Sequence, residues 1–224
     1  MLAAFFRHAE QHYRKNGEPT GEAQNYVDAL KHVRCLYGHL RATEFRGLAL
    51  KAVRDAMVAA GDCRTRINRQ VSRIKHVFKW AVSNELVPPD SYHALAAVEG
   101  LDRGRTEARE SFPVRPVDEQ SARATFRFVS PQVRAMIELQ LLTGMRPGEV
   151  VIMRAGDIDT SRPSWVYRTA SHKTEHHGFQ RRIVLGPRAQ AIVQPFLKSD
   201  PGAYLFSPRE AQASRHAIDR KSVV

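Results

Sequence analysis

Seven residues, Thr143-Gly144-Met145-Arg146-Pro147-Gly148-Glu149, separate the apolar run 136–142 from a second one at Val150-Val151-Ile152-Met153. A helix that stops at Thr-Gly and restarts through Pro-Gly-Glu puts one arginine at a corner between helices, because proline suits the first turn of a new helix. A guanidinium held at such a corner is a single aimed positive charge. The plain alternative is a polar turn between two core helices, since Gly and Pro punctuate most chains. A second cation, Lys173, lies in Ser171-His172-Lys173-Thr174-Glu175-His176-His177-Gly178, between two strand-like segments. His172, Glu175, His176 and His177 supply side chains that could hold Zn²⁺, but no fourth partner is evident, so no metal and no other cofactor is expected.

The elements that must carry these residues are mostly helices. Residues 1–100 read as helix throughout, broken near Gly17-Glu18-Pro19, Gly47, Gly61-Asp62 and Pro88-Pro89. The longest helix is expected over 65–84 with Thr65 as its cap, and Ile67, Val71, Ile74, Phe78 and Ala81 form its apolar stripe. Its remaining surface holds Arg66, Arg69, Arg73, Lys75 and Lys79, with no acidic residue between Asp62 and Glu85. A solvated helix face usually mixes both signs and gains from i,i+4 pairs, so a face of one sign suits a phosphate backbone. An ordinary basic face is the alternative.

Residues 101–117 contain Gly, two Pro and alternating charge with almost no apolar period, and read as a linker. Beyond it, a helix capped by Asp118 runs to about 128, and another opens at Pro131 and leads to the arginine corner. Residues 156–159 read as a turn, while 165–167, 181–185 and 203–208 read as strands, with a helix from Pro187 to about 197. The expected fold class is therefore mainly α with a small antiparallel sheet (α+β). Its domains are 1–100, all-α, and 118–224, joined by 101–117.

Composition narrows the partner. The 224 residues carry a net charge of +12, and no apolar run is long enough to span a bilayer. Basic residues outnumber acidic ones by 18 to 13 over residues 1–110 and by 17 to 10 beyond, so both halves are basic. A basic excess spread over two folded halves suits a clamp on a polyanion. The first residues turn polar too quickly for a signal peptide, and Cys35 and Cys63 show no pairing motif, so a cytoplasmic protein without a membrane partner is expected.

The corner resembles the Thr-Gly-x-Arg-x-x-Glu motif of the tyrosine recombinases, the phage-integrase family, at Thr143, Gly144, Arg146 and Glu149. Residues 67–82, ending Phe78-Lys79-Trp80-Ala81, are similar to the closing helices of that family's amino-terminal DNA-gripping (core-binding, SAM-like) domain. Lys173 ahead of Arg-x-Ile-x-Leu resembles its β2–β3 hairpin, and residues 203–208 resemble its third strand. The resemblance covers roughly residues 1–210. It implies that Arg146 grips the scissile phosphate with Glu149 in the same motif, and that Lys173 protonates the departing 5′-oxygen. It makes Arg66, Arg69, Arg73, Lys75 and Lys79 candidate contacts to duplex DNA, and Phe78 and Trp80 core residues.

The family's His-x-x-Arg box and nucleophilic tyrosine have no match. His216 and Arg220 have three residues between them, and one extra residue turns a helical pair by about 100°. The six tyrosines (Tyr13, Tyr26, Tyr37, Tyr92, Tyr167 and Tyr204) fall in helix or strand contexts. The expectation is thus a DNA-binding integrase or site-specific recombinase, serving DNA integration and recombination, in a truncated form that does not cleave alone and whose full-length form self-associates on DNA. The alternatives are a standalone DNA-binding or regulatory protein that keeps the clamp without catalysis, and an RNA- or ribosome-associated basic protein.

Overall fold

A computed structural model describes residues 1–15, 17–169 and 180–213. The chain divides into two compact units, Met1–Val114 and Arg115–Val224. Among the described residues it is mainly helical with two small antiparallel sheets.

The first unit contains α1 (Leu2–His12), a two-residue hairpin of β1 (Arg14–Lys15) and β2 (Glu18–Pro19), α2 (Glu22–Tyr37), α3 (Gly47–Ala59), α4 (Arg64–Ser83) and α5 (Pro89–Ala96). The hairpin corrects the reading of this region as helix throughout. Two-residue strands are too short to show alternation, and they form because Gly17 turns the chain at φ +84° while Thr20 closes back on the Tyr13 carbonyl. The stripe expected on α4 is the centre of the core. Ile67, Val71, Ile74 and Phe78 are buried against Phe5, Leu30, Leu50, Met57 and Leu95 from the other four helices. Phe45 stacks on Phe78 with ring centroids 5.5 Å apart. Trp80 is only partly buried at the edge of this core.

Helix α4 begins one residue beyond Cys63, not after Thr65, because Arg64 N–H is bonded to the Arg109 carbonyl at 2.9 Å. Residues 101–110 therefore have packing of their own. The Asn68 side chain pairs both ways with Leu101, donating to its carbonyl at 3.0 Å and accepting from its N–H at 2.8 Å. Arg64 holds Glu110 at 2.5 Å, and Ala108 is buried in the first core. Glycine suits position 100, since a Cβ there would lie 3.2 Å from the Asn68 amide.

The second unit contains α6 (Glu119–Ala124), capped by Asp118 through Ser121 N–H at 2.8 Å and tightening into a 3₁₀ turn to Phe128. It continues with α7 (Pro131–Thr143), α8 (Pro147–Val151), β3 (Ile158–Asp159), β4 (Trp165–Arg168), β5 (Arg182–Leu185) and α9 (Pro187–Val193). The strands form an antiparallel sheet in the order β3-β4-β5, with Tyr167 opposite both Ile158 and Ile183. Two expectations change here. Residues 158–159, read as part of a turn, supply the edge strand. Among the described residues the segment 203–208 makes a single bridge, Tyr204 to Arg154, with Leu205 N–H bonded to Met153 O and the Pro201 carbonyl to Gly156 N–H. The second core is Leu139, Met153, Tyr167, Leu185, Val193 and Leu205, all buried.

Replacing Asn68 removes both bonds to Leu101, leaving its part-buried N–H unpaired and its carbonyl with only the Arg64 Nη1 contact at 3.3 Å. Asn68→Ala is expected to cost about 1–3 kcal/mol of stability. It should also speed limited proteolysis within 101–110, both checked by urea unfolding and by mapping the first cleavage.

Candidate nucleic-acid interface

The arginine corner is built around Glu149. Helix α7 ends at Gly144, which adopts the left-handed conformation at φ 64° that glycine tolerates best, and its N–H returns to the Gln140 carbonyl. Thr143 Oγ1 donates to the Leu139 carbonyl at 2.6 Å, and Met145 N–H reaches that hydroxyl at 3.4 Å. Arg146 then stands at the N-cap of α8 with extended backbone, and Pro147 takes the first helical position. Glu149, three residues on, reaches back so that its Oε2 accepts the Arg146 N–H at 2.8 Å. This is the carboxylate half of a capping box.

The same carboxylate holds two guanidiniums. Arg146 Nη1 lies 3.1 Å from Oε1, and Arg181 Nε lies 2.6 Å from it, the latter an ion pair without the alignment of a hydrogen bond. Glu149 is only 3% exposed while the Arg146 side chain is 50% exposed. Burial alone would raise the Glu149 carboxyl. The Arg146 backbone N–H, Arg181 and the Arg146 side chain outweigh it and hold its pKa below the usual value. Two cations against one anion leave the corner a net positive charge, with half of the Arg146 side chain open to a ligand. The Tyr167 hydroxyl donates to the Glu149 carbonyl at 2.7 Å and ties α8 to β4.

Arg181 and Tyr167 are the members of this site that sequence reasoning missed. No local pattern links them to Glu149, because Tyr167 arrives on β4, 18 residues on, and Arg181 just ahead of β5, farther still along the chain. Lys173 lies outside the described residues, as do His172, Glu175, His176, His177, His216 and Arg220. Among the described residues no group of three or more His, Cys, Asp or Glu could hold a metal ion.

Helix α4 sorts its cations by side. Thr65, Arg69, Ser72, His76, Lys79 and Ser83 recur at spacings of four and three and are all exposed, so they form one outward stripe opposite the apolar one. Over 20 residues it runs about 30 Å. Arg69 and Lys79 make no hydrogen bond or ion pair among the described residues. Arg66 pairs with Asp62 at 3.2 Å on an exposed edge. Arg73 is committed to Glu22 of α2 through Nε at 3.0 Å and Nη2 at 3.2 Å. Lys75 leaves the stripe altogether. Its ammonium bonds the carbonyls of Val98 and Ala96, which the end of α5 leaves without helical partners, and burial lowers its pKa.

Glu149 yields a pH test. Because its folded pKa is depressed, its contribution is present above the ordinary value of 4.5 and is lost as pH falls through the folded value. At pH 7, Glu149→Ala should destabilise the second unit by about 3 kcal/mol, the cost of stranding its charge partners. Urea unfolding followed by Trp165 fluorescence in a Trp80→Phe background checks this. The gap between parent and variant should narrow as pH is lowered below 4.5.

No family model and no curated protein matches the chain by sequence. Solved structures do match by fold. A lambda integrase fragment, seen as a dimer bound to a COC′ core site, aligns over 92% of this chain and 69% of its own with a TM-score of 0.66 and 14% identity. The Tn1549 transposon integrase in complex with circular intermediate DNA aligns over 90% and 66% with a TM-score of 0.60 and 16% identity. A lambda integrase tetramer bound to a Holliday junction aligns over 93% and 60% with a TM-score of 0.63 and 16% identity. The chain thus spans about two thirds of the length of the integrase chains it matches. Over about nine tenths of its length the chain has the fold of these integrases.

Proposed function

We propose that this chain is the DNA-gripping part of an integrase-type site-specific recombinase, which binds duplex DNA and by itself does not cleave it. The observation that carries the reading is the outward stripe of α4, where exposed Arg69 and Lys79 alternate with the hydroxyls of Thr65, Ser72 and Ser83 and no carboxylate intervenes. Cations and hydroxyls spaced along about 30 Å suit successive phosphates of one backbone. Arg66 joins them once its exposed pairing with Asp62, worth little in water, gives way to phosphate. Arg73 and Lys75 serve this interface indirectly, by fixing α2 and the end of α5 against α4.

In the second unit Arg146 is the phosphate ligand and Glu149 the residue that orients it. Lys173 follows from the motif as the acid for a leaving 5′-oxygen. Neither Arg146 nor Lys173 is a nucleophile, and nowhere in the 224 residues does a His-x-x-Arg spacing occur. Binding without cleavage follows. Dimers and tetramers belong to the matched lambda integrase structures. Self-association on DNA is proposed here only for a complete recombinase assembled around the same clamp.

Anisotropy titrations with a fluorescent duplex, repeated at several salt concentrations, test the reading. Arg69→Ala/Lys79→Ala should weaken binding about tenfold and flatten the salt dependence, the slope of log K against log salt losing roughly 0.9 for each phosphate contact removed. Arg146→Ala should weaken binding as well, and no variant should form a covalent protein–DNA product. If all three substitutions leave affinity and slope unchanged, or structured RNA displaces the duplex, the chain is a generic basic or RNA-associated protein instead.

A further inference from the structure

Beside the outward stripe of α4, three aromatic rings stand in a stack. His12 lies 5.0 Å from His8 with planes 21° apart, and His8 lies 5.2 Å from Trp80 with planes 29° apart. His8 and His12 are one helical turn apart on α1, and Trp80 follows Lys79 on α4. His76, a member of the stripe itself, points one nitrogen into the unit, where Nδ1 and the Tyr26 hydroxyl are 2.8 Å apart and Tyr26 meets the Tyr13 hydroxyl at 3.1 Å. A phenol can donate or accept. The Tyr13–Tyr26 pair therefore tethers His76 in either protonation state.

The surroundings of His76 are mostly cationic or neutral. From α4 come Lys79 and Arg73, from α2 come Glu22 and Tyr26, and Tyr13 closes the end of α1. Among the described groups acting on His76, Glu22 is the carboxylate. It is bound by two hydrogen bonds to Arg73, which hold its own pKa low and leave the pair close to neutral. Burial first, then Lys79, His8 and His12, lowers the pKa of His76. Phosphate groups laid along the stripe reverse those charge effects, since an anion favours an imidazolium as strongly as a cation opposes it. A charged His8 also gains from the π-face of Trp80.

We propose that His8, His12 and His76 extend the duplex-binding surface from α4 onto α1 and take up protons as phosphate binds, so that the first unit grips DNA more tightly as pH falls from 8 to 6. This inference rests on the duplex-DNA reading above. Histidine changes charge within that range, and linkage requires that a ligand which raises a group's pKa binds more tightly below it. Each imidazole protonated in the complex also adds a phosphate contact, so the salt slope must steepen by roughly 0.9 per proton.

The full chain and a fluorescent duplex of about 30 bp, a length chosen to exceed the span of α4, are titrated at pH 8, 7 and 6 across several salt concentrations. The expected result is about a tenfold gain in affinity from pH 8 to pH 6 and a salt slope steeper by one to two contacts, at roughly 0.9 each. His8→Gln/His12→Gln should lose most of the gain between pH 8 and pH 6. His76→Gln should lose the rest, and because its tether to Tyr26 is cut, circular dichroism accompanies it. Binding with the same affinity and slope at every pH overturns the proposal while leaving the duplex reading intact, as does a gain that survives in His8→Gln/His12→Gln. Absence of duplex binding at every pH overturns both.

Discussion

A carboxylate that is 3% exposed stays ionised only if hydrogen bonds and cations replace its lost water, and among the described residues Arg146 and Arg181 supply that compensation to Glu149. The Arg146 N–H fixes where α8 begins, the Arg146 guanidinium is turned back along the same turn, and Arg181 binds from the edge of β5. Removing any one of these leaves charge stranded. The corner, the short helix and the sheet edge are thereby coupled through one side chain, and Tyr167 repeats the coupling through the Glu149 carbonyl. The net positive charge left after pairing stands at the place where Arg146 is open to solvent.

The first unit solves a different electrostatic problem. Helix α4 is rich in cations and contains no acidic residue, so apart from Asp62 at its start the fold must either neutralise them from a distance or leave them outward. It neutralises some from a distance. Glu22 meets Arg73, Glu110 meets Arg64, and the carbonyls behind α5 receive Lys75. What remains outward, Arg69 and Lys79 with His76 between them, is a narrower and straighter row than the sequence suggests. The pairs formed also lock α2, α5 and residues 101–110 onto α4, so selecting the outward face and packing the unit are the same event.

The motif around Arg146 was legible because its chemistry is local: Gly144 supplies a left-handed cap, Pro147 a first turn, and Glu149 a capping carboxylate three residues on. The apolar stripe of α4 was legible for the same reason, since a period of 3.6 needs no knowledge of the partner helices. The β1–β2 hairpin was hidden because two-residue strands carry no period. The edge strand went instead to residues 158–159, because pairing is decided by which backbone is free to meet β4.

By itself the sequence determined which helices exist, which faces they bury, where a single arginine is aimed, and that both halves carry excess positive charge. Those properties follow from neighbours within about four residues, where backbone geometry fixes the contacts. Only the tertiary structure decided that Arg181 shares Glu149 with Arg146, that Arg73 and Lys75 are spent on packing, and that three histidines from two helices gather beside Lys79. Each of those joins residues at least 32 positions apart or chooses among equivalent cations on one helix. Charge–charge energy depends on distance in space, and a sequence of like charges does not say which of them a distant carboxylate or carbonyl will reach.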